Sequence, residues 1–322
     1  MSHTAHLGID LGGSNIYSVL FDERYVPITE TKIDTEAKEG YNHVIARLQK
    51  QIETLETQAK EKGFRIETIG LGVPGVVSVD TDLVRIAPNL GWANKRPLQD
   101  LGLLGRRDVQ CRLVNDVNAG LMGELERMPR KPHIAVAFFC GTGVGGALAI
   151  DGKLILGKDG GAGEVGHMIV REGGRKPQGG VRGSLESYVG KWALNRRIER
   201  ALDAKKKTAL RDIIDYNLKK TPVKSSSLRK AYEKGDDYTT GLMNNYYSKY
   251  LAAGISQTVN LVNPDLVILG GGIMESMGVK LLPYIHSHLS QRCINPLPHL
   301  RLAELGDLAG PMGAAVMARS AP

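Results

Sequence analysis

The chain has 322 residues, of which 42% are hydrophobic and 24% charged, and a formal net charge of +8. That length fits about two domains and that composition an ordinary globular protein, and no stretch reaches the ~20 consecutive apolar residues of a membrane helix. Its three cysteines, Cys111, Cys140 and Cys293, lie far apart without CxxC spacing, which argues against a disulfide framework and for a reducing compartment, the cytoplasm by default. Met1 to His6 shows no basic segment leading into an apolar run, so no signal peptide is expected. Lysines and arginines occur in short groups, such as Lys205-Lys206-Lys207, without interleaved aromatics. The positive balance therefore reads as a solvated surface and not as a nucleic-acid footprint.

In chain order, His6–Ile9 predicts a strand, Asp10-Leu11-Gly12-Gly13-Ser14 a turn, and Asn15–Phe21 a second strand, together a β-hairpin. Tyr41–Lys62 predicts a helix with Val44, Leu48, Ile52 and Leu55 on one stripe. A strand lies within Glu67–Val77 and another at Val109–Val114, stopped by Asn115-Asp116; a helix from Val117 to about Met128 follows. Ile134–Cys140, the turn Gly141-Thr142-Gly143-Val144-Gly145-Gly146 and Ala147–Ile150 form a second glycine-rich hairpin. Two such hairpins, each opening an α/β stretch, suggest two halves of related design. Lys205–Asp237 is the most charged region and reads as a surface helical excursion. Leu242–Leu261 predicts a long helix broken at Asn263-Pro264, because proline cannot continue it. Leu266–Leu269 is a buried strand running into Gly270-Gly271-Gly272, and a small-residue helix is expected from Gly313 to Arg319.

Phosphate chemistry needs backbone N–H groups able to crowd an anion, which is why glycine recurs in such turns. The turn at Asp10, Gly12, Gly13 and Ser14 and the turn at Thr142 and Gly143 are candidate cradles. A carboxylate facing phosphate would be repelled, so Asp10 is expected to hold Mg²⁺ through water. Asp116 follows a strand end, where open α/β sheets carry functional groups. It suits either the cap of the following helix, a role open to Asn115 as well, or a general base taking a proton from a sugar hydroxyl. Glu164 and His167 lie in a segment stripped of bulk by Gly160, Gly161, Gly163 and Gly166. They could reach adjacent sugar hydroxyls, or be structural. Glu186 opens a helix, where an acid is favoured by the helix dipole alone.

Taken in order, these segments resemble the ROK family (repressors, open reading frames and kinases). The resemblance is carried by Asp10–Ser14, Gly72-Val73-Pro74-Gly75, Ala87-Pro88-Asn89-Leu90-Gly91-Trp92 and Asn115-Asp116-Val117-Asn118-Ala119. It continues through Gly141–Gly146, Gly163-Glu164-Val165-Gly166-His167, Leu269–Gly272 and Gly306-Asp307, nearly the whole chain. It implies an α/β, two-domain actin-like ATPase (ribonuclease H-like) fold with the active site in an interdomain cleft. Residues 1–117 with 303–322 would form the small domain and 118–302 the large one. It further implies that Asp116 is the catalytic base and that Asn89, Asn115, Asp116, Glu164, His167 and Glu186 bind the sugar. The Asp10 turn, Gly12, Gly13, Ser14, Thr142 and Gly143 would address ATP phosphates and Mg²⁺, with Gly271 and Gly272 beside the adenine. A homodimer is expected, with neither nucleic acid nor membrane as partner.

The family usually carries a zinc loop written CxCGxxGCxE. Aligned on Gly183 and Glu186, its three cysteine positions here are Pro177, Gly179 and Ser184. A structural zinc site needs about four ligands, and only His167 remains, so no zinc is expected. The implied reaction is ATP-dependent phosphorylation of a hexose. Glucose is the expected substrate, because Pro88–Trp92 is similar to the loop of glucose and N-acetylmannosamine kinases. N-acetylmannosamine, fructose or another hexose is the alternative. A sugar-sensing transcriptional regulator is a remoter one, since Asp10 leaves no room before it for a helix-turn-helix domain. A third possibility is a non-catalytic sugar-binding relic, against which the set Asp10, Thr142, Asp116 and Glu164 stands.

Overall fold

The computed structural model describes residues 3–78, 82–176 and 180–319. The chain divides into two compact units, Met1–Lys131 with Gly152–Ala162 and Asp307–Pro322, and Pro132–Asp151 with Gly163–Gly306. The division after Lys131 leaves the helix that follows Asn115 wholly within the first unit.

The first unit opens with the hairpin β1 (His3–Leu11) and β2 (Asn15–Asp22), in which Asp10 pairs with Tyr17. A further strand, β3 (Pro27–Asp34), lies on β2; its Thr, Glu and Lys residues are at most half-buried, so it gives little hydrophobic signal. Helix α1 (Tyr41–Glu61) buries Val44, Leu48, Ile52 and Leu55, the stripe its spacing predicts. Next come β4 (Phe64–Val73) and a small antiparallel sheet of β5 (Val76–Ser78), β6 (Leu83–Ala87) and β7 (Trp92–Lys95). The short α2 (Pro97–Asp100), β8 (Gln110–Asn115) and α3 (Asp116–Glu126) follow. The main sheet runs β3-β2-β1-β4-β8. Strands β1, β4 and β8 are parallel, with Asp10 beside Gly72 and Val73 beside Asn115. Their carboxyl ends therefore bring Asp10 and the Asn115-Asp116 pair to one edge.

The second unit repeats the scheme. Strands β9 (Ile134–Cys140) and β10 (Val144–Ile150) form a hairpin. After β11 (Lys153–Leu154), which falls in the first unit, the second unit continues with α4 (Glu186–Val189), α5 (Lys191–Asp203), α6 (Leu210–Ile213), α7 (Ser225–Glu233) and α8 (Asp237–Gly241). A π-helical stretch, Leu242–Tyr247, leads into α9 (Ser248–Val262), then β12 (Leu266–Gly270), α10 (Gly272–Ser290) and β13 (His299–Leu302). The strand order of this unit is β10-β9-β12-β13, with β9, β12 and β13 parallel. An antiparallel hairpin strand beside three parallel strands is thus common to both units, as the two glycine hairpins suggest.

Two expectations change in detail. The helix expected as one piece from Leu242 starts with π geometry, where the buried Ser248 hydroxyl donates to the Met243 carbonyl five residues back. It ends at Asn263, which adopts left-handed φ of 46° before Pro264. The charged stretch from Lys205 to Asp237 is more than a surface excursion: Leu210, Leu218, Val223, Leu228 and Ala231 are in the core of the second unit. Apolar residues there are spaced between charges, which masked them in the sequence.

The last helix, α11 (Ala309–Arg319), returns to the first unit and starts four residues before the Gly313 its composition marked. It packs on β1, β4 and α3 through glycine. An added Cβ at Gly8 or Gly70 would collide with the carbonyls of Pro311 or Ala314, and one at Gly313 with that of Ala119. Close backbone approach, not side-chain interlock, seats this helix. Among the described residues no helix is long and apolar enough to cross a membrane.

Candidate active site

In the first unit the Asp10 carboxylate sits at the end of β1, flanked by Gly310 at the start of α11, where an added Cβ would lie 2.9 Å from Asp10 Cγ. The following turn is closed by Gly12 N–H donating to Asn15 O at 2.9 Å and by the Thr35 hydroxyl donating to Gly12 O at 2.7 Å. An added Cβ at Gly13 would lie 3.1 Å from Asn89 O, so the Asn89 segment is laid against this turn.

Asn115 and Asp116 divide the work that the sequence left open to both. Asn115 is the N-cap of α3: its Oδ1 accepts from the amides of Val117 and Asn118, each at 3.0 Å. Its Nδ2 donates to Gly75 O at 2.9 Å and to Asp116 Oδ1 at 3.1 Å. All four hydrogen-bonding positions of a primary amide are thereby used. Asp116 Oδ1 also accepts from Val117 N–H at 2.9 Å. Oδ1 of Asp116 is thereby oriented by the Asn115 side chain and by the first turn of α3.

Electrostatics tie these groups together. Burial pushes the Asp10 carboxyl up to about 7, and the neighbouring Asp116 and Asp307 carboxylates push it the same way. Lys32 opposes them, paired with Asp307 at 2.7 Å. Mutually repelling carboxylates that one lysine does not neutralise are a suitable environment for a hard dication. Among the described residues, no three His, Cys, Asp or Glu side chains form a metal-binding group, so Asp10 would hold Mg²⁺ with water filling the other positions, as small hard cations allow.

In the second unit, the Gly141–Gly143 turn is closed by Gly141 N–H on Gly143 O at 2.9 Å. Glu186, first residue of α4, lies on this turn: its Oε2 accepts from Val144 N–H at 2.9 Å, and an added Cβ at Gly143 would collide with it. Thr142 and Glu186 line a cavity of about 60 Å³ with Arg175, Trp192 and Arg196. The segment carrying Glu164 and His167 lies along β10, where Gly146, Gly163 and Gly166 permit contact that any Cβ would prevent. Glu164 Oε2 and His167 Nε2 are 3.9 Å apart and both side chains are half-exposed. Gly271, with φ of 83°, backs onto the Cys140 carbonyl, so the segment from Gly271 to Gly272 stands beside the Gly141 turn.

Of the three zinc-loop positions, Pro177 and Gly179 lie outside the described residues; Ser184 is buried and its backbone bridges Ile169. Aromatic and arginine side chains hold the loop. Tyr188 stacks on Tyr250 with centroids 4.0 Å apart, and its hydroxyl accepts from Arg175 N–H at 3.2 Å. Tyr246 meets Tyr250 edge-on at 4.9 Å, with the Arg197 guanidinium 3.7 Å from the Tyr246 centroid. Sequence reading missed this cluster, because its five residues come from separate segments that carry no common spacing.

A family model described as the ROK family matches residues 6–321. The chain belongs to the ROK family. A glucokinase of Thermotoga maritima is 30% identical over 84% of this ROK chain and 82% of its own length. An N-acetyl-D-glucosamine kinase of Yersinia pseudotuberculosis is 27% identical over 97% of this chain and 98% of its own. The crystal structure of a ROK family glucokinase from Streptomyces griseus, in complex with glucose and AMPPNP, superimposes with a TM-score of 0.80 at 25% identity. That likeness covers 98% of this chain and 100% of the other. The fold is accordingly the actin-like, two-domain ATPase fold of this ROK group. In this member the family's cysteine loop has no cysteine at positions 177, 179 or 184.

Proposed function

We propose that this ROK family hexose kinase transfers the γ-phosphoryl group of ATP to the 6-hydroxyl of glucose, with Asp116 as general base. The observation that carries the reading is the division of labour at the start of α3. Asn115 is the N-cap residue of α3, and the Asp116 carboxylate, oriented by the Asn115 side chain and the Val117 amide, acts electrostatically on Asp10. Carboxylates placed at the carboxyl ends of parallel strands are well sited for such chemistry.

As the hydroxyl oxygen forms its bond to the γ-phosphorus, Asp116 accepts the hydroxyl proton, and the bond from the γ-phosphorus to the bridging β–γ oxygen breaks to release ADP. Mg²⁺ held by Asp10 through water would supply charge neutralisation for the phosphate oxygens. Following the family resemblance, Gly12, Gly13, Ser14, Thr142 and Gly143 are proposed to bind the donor phosphates, Gly271 and Gly272 the adenine, and Asn89, Glu164, His167 and Glu186 the sugar. Asn115 acts through Asp116, because its own polar atoms are saturated within the chain. A positioned base and aligned donor are worth large rate factors when water is kept from the reacting atoms. Following the family resemblance, the enzyme is proposed to work in the cytoplasm as a homodimer.

The test is an ADP-release assay across glucose, N-acetylglucosamine, N-acetylmannosamine, mannose and fructose, with the product phosphate position identified. Glucose 6-phosphate as the preferred product supports the reading. Preference for an acetamido sugar moves the substrate while keeping the chemistry, and ADP release with no hexose dependence overturns it.

A further inference from the structure

Lys191 is a cation placed where the second unit gathers its glycine segments. It is the first residue of α5, and its N–H donates to Gly141 O at 3.1 Å, which fixes it directly behind the Thr142 turn. Its ammonium reaches the other glycine segment: an added Cβ at Gly272 would lie 3.2 Å from Lys191 Nζ. The same Cβ would lie 3.2 Å from Ser225 Oγ, at the start of α7. That hydroxyl is buried with no hydrogen-bond partner among the described residues.

Two features make this arrangement costly without a ligand. Lys191 forms no ion pair among the described residues within 4.0 Å, and burial holds its ammonium below the usual lysine range, with Glu275 only partly opposing. A buried polar atom lacking a partner also loses its hydration uncompensated. An anion beside Gly272 would satisfy both groups at once. Gly272, with no side chain, leaves the space between them open.

We infer that Lys191, with Ser225, binds the phosphate chain of the nucleotide between the γ-phosphate turn at Thr142 and the adenine segment at Gly271–Gly272. This rests on the kinase reading above and adds to it a donor-binding residue. The ammonium acts as a point charge on the α- and β-phosphates, and the hydroxyl donates to one of their oxygens.

The experiment is calorimetric titration of the full-length protein with ATP and, separately, with adenosine, on the wild type, Lys191→Met, Lys191→Gln and Lys191→Arg. Loss of a hydrogen bond to a charged group predicts ATP affinity lowered about 10- to 100-fold in the Met and Gln variants. Adenosine affinity stays unchanged, and Lys191→Arg recovers most of the ATP affinity. If Lys191→Met does not fold, Lys191→Gln gives the same comparison. Equal weakening of ATP and adenosine would make Lys191 merely structural, and unchanged ATP affinity would overturn the inference outright. Wild-type ATP binding that depends on Lys191, without hexose-dependent ADP release, would sink the kinase reading while leaving this inference in place.

Discussion

The Asp10 carboxyl, held near 7 by burial and by Asp116 and Asp307, has a measurable consequence for stability. A carboxyl whose folded-state pKa lies above its unfolded value stabilises the fold where it is protonated. That contribution is complete below about pH 4 and is lost as the pH rises towards about 7. In the absence of divalent cations, Asp10→Asn is therefore expected to melt above the wild type at pH 8. The gap should shrink towards pH 5, and adding Mg²⁺ at pH 8 should raise the wild type alone. A gap equal at both pH values would mean that Asp10 is not strained by its neighbours. The sequence showed Asp10 clearly, as an acid in a glycine turn after a strand. It did not show which of Asn115 and Asp116 caps α3, since both residue types suit that position. The amides of Val117 and Asn118 donating to Asn115 Oδ1 separate them, with Asn115 Nδ2 anchored on Gly75, forty residues away in sequence.

Among the elements, α11 illustrates what periodicity reads badly. Its small residues look weakly structured, yet Gly313 lies against the Ala119 carbonyl and the start of the helix lies against Asp10. Gly313→Ala should force α3 and α11 apart at a cost of about 1–3 kcal/mol, typical of overpacking. Thermal melting would show it, and an unchanged midpoint would mean the helices are loosely seated. The segment between His167 and Glu186 raises the matching question of what stands in for the family's cysteines. The Tyr188–Tyr250 stack and the Arg197–Tyr246 contact are ring interactions of about 0.5–1.5 kcal/mol each by type. Incubation with a strong chelator is expected to leave both melting temperature and sugar affinity unchanged. Tyr250→Ala should instead raise the sugar KM with little change in kcat. Zinc recovered at one equivalent from purified protein, or a melting point lowered by chelator, would contradict this. The glycines just before it, at 160, 161, 163 and 166, were legible as a place for close approach; the aromatic ring partners were not, since α9 and the π-helical stretch before it supply Tyr250 and Tyr246 from a distant stretch of chain.

For the molecule as a whole, the two glycine hairpins were the legible sign of its plan. The first strand of each hairpin proves to be one of three parallel strands, β1-β4-β8 in one unit and β9-β12-β13 in the other. The small β5-β6-β7 sheet and β3 escaped notice because their short or polar strands carry no strong alternation of buried and exposed residues. The fold class and the kinase chemistry were legible together, because glycine turns and a strand-end carboxylate leave local marks while long-range packing does not. The account depends most on Asp116 removing the acceptor's proton. The most direct measurement is kcat for glucose phosphorylation in Asp116→Asn, alongside the variant's glucose affinity by calorimetry. The prediction is a kcat lowered by ~10²–10⁴ with affinity within a few-fold of wild type, the signature of a lost general base. Turnover close to wild type would contradict it and leave Asp116 as no more than part of the α3 cap.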